Sequence, residues 1–317
     1  PGVMVGQIAR PIRSVGLYVP GGTAPYPTVM QILTVPAKIA GVKRIVAITP
    51  PRGKNYAVIV AAVEAGVTEL YRVGGIAAIA ALTYGTESIK PVDKIAGPGN
   101  IYVTASKMLV FGDVGVDMPA GPSEAIMFAD ENADPAYCAA DIMARAEHDV
   151  NAAGVLVTWS KKLAEKTVKE IERQIEFLSR KEIIAKSLQR YSAIIIAKNR
   201  EEAVSFTNEY APEHLEVLTK DPYKDLKDFT DAGSIFLGYL TPVPVGDYAS
   251  GTSHVLPTGG WAKMFSPVGV ETYMKWSEIQ SVTKKGLVSL APIIETISGV
   301  EGLDAHWNTI KQRLQKE

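Results

Sequence analysis

The sequence predicts an α/β protein of two Rossmann-like βαβ domains with parallel sheets and a helical C-terminal tail. Three observations carry that expectation. At 317 residues the chain is too long for one compact unit. Short β-rich runs alternate with stretches whose apolar residues recur at helical spacing. The alternation occurs in two successive series, separated by the loop MPAGPSE at 118–124.

In the first series, strands are expected at 16–20, 44–49, 69–73 and 93–96, with helices at 25–40, 55–65 and 75–83 between them. Strands joined by helices form a parallel sheet covered on both faces. In the second series, strands are expected at 124–129, 154–158, 193–197, 215–218 and 234–237. The helix after the first of these should take Asp134 as N-cap and Pro135 in its first turn. A long charged helix is expected over 161–180, its Lys/Glu pairs forming a solvated face. Beyond about residue 262 the alternation gives way to helical segments.

Composition narrows the function classes. Hydrophobic residues make up 47% and charged residues 21%, ordinary for a globular protein. A net charge of −1 gives no electrostatic reason to expect nucleic acid or an anionic membrane surface as partner. No apolar run is long enough to span a bilayer. The single cysteine, Cys138, cannot form an internal disulfide; it reads as helix packing, and a reducing cytoplasm is the expected location. The chain opens on Pro1, so a preceding segment is expected.

Two glycine-rich loops follow expected strands: VPGGTAP (19–25) and AGPGN (96–100). Such loops bring backbone N–H groups close to a phosphate at a helix N-terminus. Neither fits G-x-G-x-x-G, and a plain tight turn explains each as well. There are four histidines, His148, His214, His254 and His306. A lone histidine is usually structural, but His148 follows Glu147, His214 follows Glu213, and His254 comes seven residues after Asp247. Imidazole beside carboxylate suits a zinc site or a proton relay.

The segments GLYVPGGTAPYP, VDKIAGPGN, DMPAGPSE, AEH, APEHLE, AGSIFLG and GDYASGTSHVLPT occur in this order, and together they resemble the motif series of the histidinol dehydrogenase family. The resemblance runs over nearly the whole chain. It implies oxidation of an alcohol to an aldehyde and then to an acid, most simply L-histidinol to L-histidine, with two NAD molecules and Zn2+. It implies Glu213 and His214 as the acid/base pair, His214 taking the alcohol proton and Glu213 activating water. His148 and Asp247 would bind zinc, completed by His306 from the partner of a homodimer with shared sites. Ser123, His254 and Glu301 would line the substrate pocket, and Tyr18 and Asn100 would touch the cofactor. The domains implied are 15–122 for NAD binding, 123–262 with 1–14 for catalysis, and 263–317 as the tail reaching the partner.

Three departures from the family pattern qualify that reading. The zinc-binding helix of the family carries Gln where this chain has Arg145, one helical turn before His148 on the same face. Arginine stays cationic and is a very poor metal ligand. It suits a carboxylate, phosphate or sulfonate, so an anionic hydroxy compound such as sulfopropanediol is an alternative substrate; the blander reading pairs Arg145 with Glu147 or Asp141. A family Gln that contacts the cofactor is Ala77 here, a loss of about 1 kcal/mol. The chain also begins inside the family's usual length. A catalytically inactive family member is the remaining alternative.

Overall fold

The computed structural model describes residues 2–21, 25–51 and 56–315. Within the compact unit Ile12–Tyr273 two parallel sheets follow each other along the chain. The first is built from β2 (Ser14–Tyr18), β3 (Arg44–Ile48), β4 (Glu69–Tyr71), β5 (Lys94–Ala96) and β6 (Gly115–Val116). The connecting helices are α1 (Pro27–Ala40), α2 (Tyr56–Ala65), α3 (Gly75–Tyr84) and α4 (Ile101–Leu109). The order across the sheet is β4-β3-β2-β5-β6, so the winding reverses between β2 and β5. Ile45 and Ala47 face a core with Met30 and Leu33 of α1 and Ala61 of α2. Val46 and Ile48 face the other core, with Ile79 and Leu82 of α3 and Val103 of α4. Two buried faces explain why these strands carry apolar side chains on both sides.

The second sheet repeats the pattern with β7 (Glu124–Ala129), β8 (Ala153–Thr158), β9 (Ala193–Ile196), β10 (His214–Leu218) and β11 (Ser234–Leu237), ordered β11-β10-β7-β8-β9. Its helices are α5 (Pro135–Ala146), α6 (Lys161–Gln174), α7 (Lys181–Arg190), α8 (Arg200–Tyr210), α9 (Pro222–Asp225) and α10 (Val243–Tyr248). As expected, the Asp134 side chain caps α5, accepting from the backbone N–H of Ala136, with Pro135 in the first turn. Gly154 is required where α5 crosses β8: a Cβ there would stand 2.7 Å from the carbonyl oxygen of Ile142. The single helix expected over 161–180 is instead α6 and a short 3-10 turn to Phe177, followed by α7.

The other unit joins the two ends of the chain. β1 (Val3–Pro11) pairs antiparallel with β12 (Met274–Val282), followed by α11 (Lys284–Glu301) and α12 (Asp304–Gln315). Residues 1–14, expected with the second βαβ domain, thus divide: β1 belongs to this ribbon and β2 begins at Ser14. The last segment is not wholly helical, because β12 precedes its two helices. Tyr273 is buried in the Ile12–Tyr273 unit, where its carbonyl accepts from the N–H of Ile12.

Candidate active site

The C-terminal ends of the first sheet's strands open on a cavity of about 660 Å³, lined in part by Tyr18, Pro50, Arg72, Gly74, Gly75 and Asn100. This is the edge at which open parallel sheets bind nucleotides. The Tyr18 hydroxyl accepts from the N–H of Gly75 at 3.1 Å. Asn100 caps α4, its Oδ1 accepting from the N–H groups of Tyr102 and Val103. Gly97, at φ +122°, leaves no room for a Cβ, which would overlap the carbonyl oxygen of Tyr18. The loop is anchored from below by buried Lys107, which donates to the carbonyls of Gly97 (2.9 Å) and Met118 (3.0 Å) and pairs with Asp117. Asp117 in turn accepts from the Gly97 N–H at 2.7 Å. Glycine backbone, a helix N-terminus and the Arg72 cation suit a dinucleotide, so these residues fit NAD. Ala77 is exposed on α3. Residues 22–24 of the first glycine-rich loop, and Asn55 of an expected helix, lie outside the described residues.

The acid–base groups lie at the opposite strand ends, in the second sheet. Ser123 and Glu213 immediately precede β7 and β10, which are neighbours paired in parallel. Between them and the last turn of α5 lies a smaller cavity of about 210 Å³, bordered by Ser123, Arg145, His148, Glu213, His214, Asp247 and His254. A chain of hydrogen bonds crosses it. Arg145 Nη1 donates to Ser123 Oγ at 2.6 Å, and Ser123 Oγ donates to Glu213 Oε2 at 2.6 Å. The same Glu213 oxygen accepts from the Glu124 N–H at 2.9 Å and lies 3.4 Å from His214 Nδ1. Burial alone would raise the Glu213 carboxyl. The charge and hydrogen bond of His214, the Arg145 guanidinium and the Ser123 hydroxyl outweigh it and hold that carboxyl at about 2.

His214 is 2% exposed, stacked on Phe236, with Nδ1 3.2 Å from the carbonyl oxygen of Glu124. A carbonyl only accepts, so Nδ1 carries the proton and Nε2 the lone pair. That Nε2 is buried, makes no hydrogen bond, and sits 3.9 Å from Asp247 Oδ1. The other Asp247 oxygen is 3.8 Å from Arg145 Nη2. Burial, then the Arg145 charge, brings His148 down to about 4 against the opposing pull of Asp247 and Glu213; burial also lowers His254.

Beneath this layer lie Asp141 and two carboxyls that sequence reasoning did not single out, Glu124 and Glu216. Glu124 accepts from the Gly259 N–H and the Tyr210 hydroxyl, and burial with the nearby Glu213 charge pushes it up to about 7. Burial brings Asp141 to about 6 and Glu216, facing it, well above the usual range. Glu216 Oε1 accepts from the N–H of Val243 at the start of α10, the helix that carries Asp247. The signal for Glu124 and Glu216 was present in the sequence: acidic residues inside otherwise apolar strand patterns are there for a partner or a proton.

Arg145 points into the cavity, and its partners are Ser123 and Asp247 rather than Glu147 or Asp141. Glu301 at the end of α11 and His306 in α12 are exposed and belong to the other unit. The residues do not fit zinc. Among the described residues no group of three or more His, Cys, Asp or Glu side chains is placed to hold a metal. The decisive observation is the fixed guanidinium: it stands 3.8 Å from the Asp247 carboxylate in the cavity that His148 also borders, so a divalent cation there would meet a like charge.

Comparison with known proteins agrees with the fold. The family described as histidinol dehydrogenase matches residues 1–314. A histidinol dehydrogenase from Methanothermobacter thermautotrophicus is 51% identical over 99% of this chain and 75% of its own length. One from Listeria monocytogenes is 53% identical over 100% of this chain and 74% of its own. A crystal structure of histidinol dehydrogenase from Elizabethkingia anophelis superposes with a TM-score of 0.95 at 40% identity, covering 99% of this chain and 73% of that one. An aldehyde dehydrogenase from Anabaena variabilis, at 13% identity and a TM-score of 0.58, shares the fold alone. The chain belongs to the histidinol dehydrogenase family, NAD-dependent oxidoreductases that act on an alcohol group.

Proposed function

We propose that this chain oxidises L-histidinol to L-histidine through the aldehyde, in two successive NAD-dependent steps, with His214 as the base. The observation that carries this reading is the unpartnered, buried Nε2 of His214 in a cavity shared with Arg145, Asp247 and Glu213. When bound, NAD supplies the hydride acceptor. Tyr18, Gly74, Gly75, Asn100 and Arg72 would hold it, with Arg72 countering phosphate charge.

In the first step His214 Nε2 removes the hydroxyl proton, and the ionised Glu213 stabilises the imidazolium that forms. A carboxylate held down near 2, with one oxygen already accepting two hydrogen bonds, is a weak base. Glu213 is therefore read as the group that orients His214, and water attack on the aldehyde is assigned to His214 as well. Ser123 and His254 border the substrate space, and His148 forms its wall in a neutral state. Relatives named for histidinol, at about half identity over this whole chain, favour histidinol over an anionic hydroxy compound.

The assembly we propose is a homodimer in which His306 and Glu301 serve the partner's site. Exposed Val288, Ile293, Ile297 and Val300 give α11 an apolar surface suited to such a contact. A reducing cytoplasm is supported by the single buried cysteine. Among the described residues no helix is long and apolar enough to cross a membrane.

The test is NADH formation from L-histidinol and from L-histidinal by the purified chain, alongside an anionic diol. Turnover of both histidine precursors is expected. Turnover of the diol alone, or of nothing, overturns the reading.

A further inference from the structure

We infer that Arg145 replaces the metal in this site: its guanidinium is the fixed cation that receives the alcohol oxygen, and the reaction runs without zinc. This rests on the proposed alcohol oxidation and names the group that would stabilise its charge. The guanidinium is almost wholly buried, with its side chain 5% exposed. Nη1 is committed to Ser123, whereas Nε is buried and makes no hydrogen bond. Of five N–H donors, several therefore remain for a ligand.

The geometry around Asp247 supplies the second argument. One carboxylate oxygen stands 3.9 Å from His214 Nε2 and the other 3.8 Å from Arg145 Nη2. Both gaps are too long for a direct hydrogen bond and wide enough for a bridging hydroxyl. Asp247 is thus flanked by the base and by the cation, and all three border one cavity, where a substrate hydroxyl would meet both. As the C–H bond breaks, its electron pair leaves as hydride to the cofactor and the carbonyl forms. The O–H proton goes to His214 Nε2, and negative charge developing on oxygen is met by Arg145. Oriented donors at a developing oxyanion need no rearrangement as the charge appears.

The test uses the full chain, purified, stripped with a chelator and dialysed against zinc. Bound metal is measured by mass spectrometry and turnover of L-histidinol by NADH formation. We expect far less than one zinc per chain after dialysis, and turnover unchanged by chelator or added zinc. R145Q should gain stoichiometric zinc and become chelator-sensitive. R145A should lose about a hundredfold or more in kcat, partly recovered by added guanidinium ion. One tightly held zinc per wild-type chain, with chelation abolishing turnover, overturns the inference. So does R145A with near wild-type kcat. Failure of every form to oxidise histidinol defeats the functional reading instead, and the zinc content of wild type and R145Q still decides the metal question.

Discussion

His214 presents its Nδ1 to the main-chain oxygen of Glu124 at 3.2 Å, and Glu213 Oε2 lies 3.4 Å from the same nitrogen. Two acceptors on one side of the ring leave Nε2 as the only basic nitrogen, aimed at the space beside Asp247. His214→Gln removes that base while keeping a polar side chain. We expect kcat to fall by about 10²- to 10⁴-fold with the KM for NAD little changed, measured by steady-state NADH formation. A loss below tenfold would assign the base elsewhere.

Glu124 gives stability an opposite pH dependence from a normal surface carboxylate. Its folded-state value is raised to about 7, above the usual 4.5, so the folded chain binds more protons than the unfolded one between those values. That contribution is complete below about 4.5 and is lost as pH rises through 7. Glu124→Gln, with the neutral amide at all pH, should flatten the decline in melting temperature between pH 5 and pH 8, values spanning about that window. An unchanged slope would show that Glu124 is not protonated in the fold.

Lys107 holds the cofactor loop through two carbonyls and Asp117 from a buried position. Lys107→Met leaves the Asp117 carboxylate buried without its cation, a loss of about 3–5 kcal/mol. Denaturant unfolding should register that loss, and the KM for NAD should rise in whatever fraction remains folded.

Gly97→Ala tests the same loop from above, since the new methyl would collide with the Tyr18 carbonyl at a positive φ. The cost should reach about 1–3 kcal/mol, read as a rise in the KM for NAD with kcat less affected.

Ala77 is exposed on α3, the helix that begins at Gly75 beside the cofactor cavity. Ala77→Gln adds an amide there. One recovered hydrogen bond, about 1 kcal/mol, corresponds to a roughly fivefold lower KM for NAD.

Much of this architecture was legible in the sequence because its signals are local. The Asp134–Pro135 helix start, the strand 124–129 and the parallel alternation all depend on neighbours within a few residues. The β1–β12 ribbon was not, because Val3 pairs with Val282 and β12 buries little of either face. The break after Phe177 escaped notice because no Gly or Pro marks it. Among site residues, the one-turn spacing of Arg145 and His148 placed both at one cavity. Nothing local could say that Arg145 meets Ser123, 22 residues away, or that Glu124 supports His214 through its backbone.

Ser123 and Glu213 each stand one residue ahead of a strand, and those two strands are hydrogen-bonded neighbours, with His214 opposite Ala125. Their separation is thus set by a ladder rung, whereas groups carried on the loops that follow strands can drift with loop length. Lengthening the segments after β2, β3 or β5 would reshape the nucleotide side without touching the Ser123–Glu213 pair. A single inserted residue just before β7 or β10 would slide one member of that pair past the other. The two halves of the site are therefore unequal as raw material for change: one can be remodelled by insertion, the other only by exchanging side chains in place.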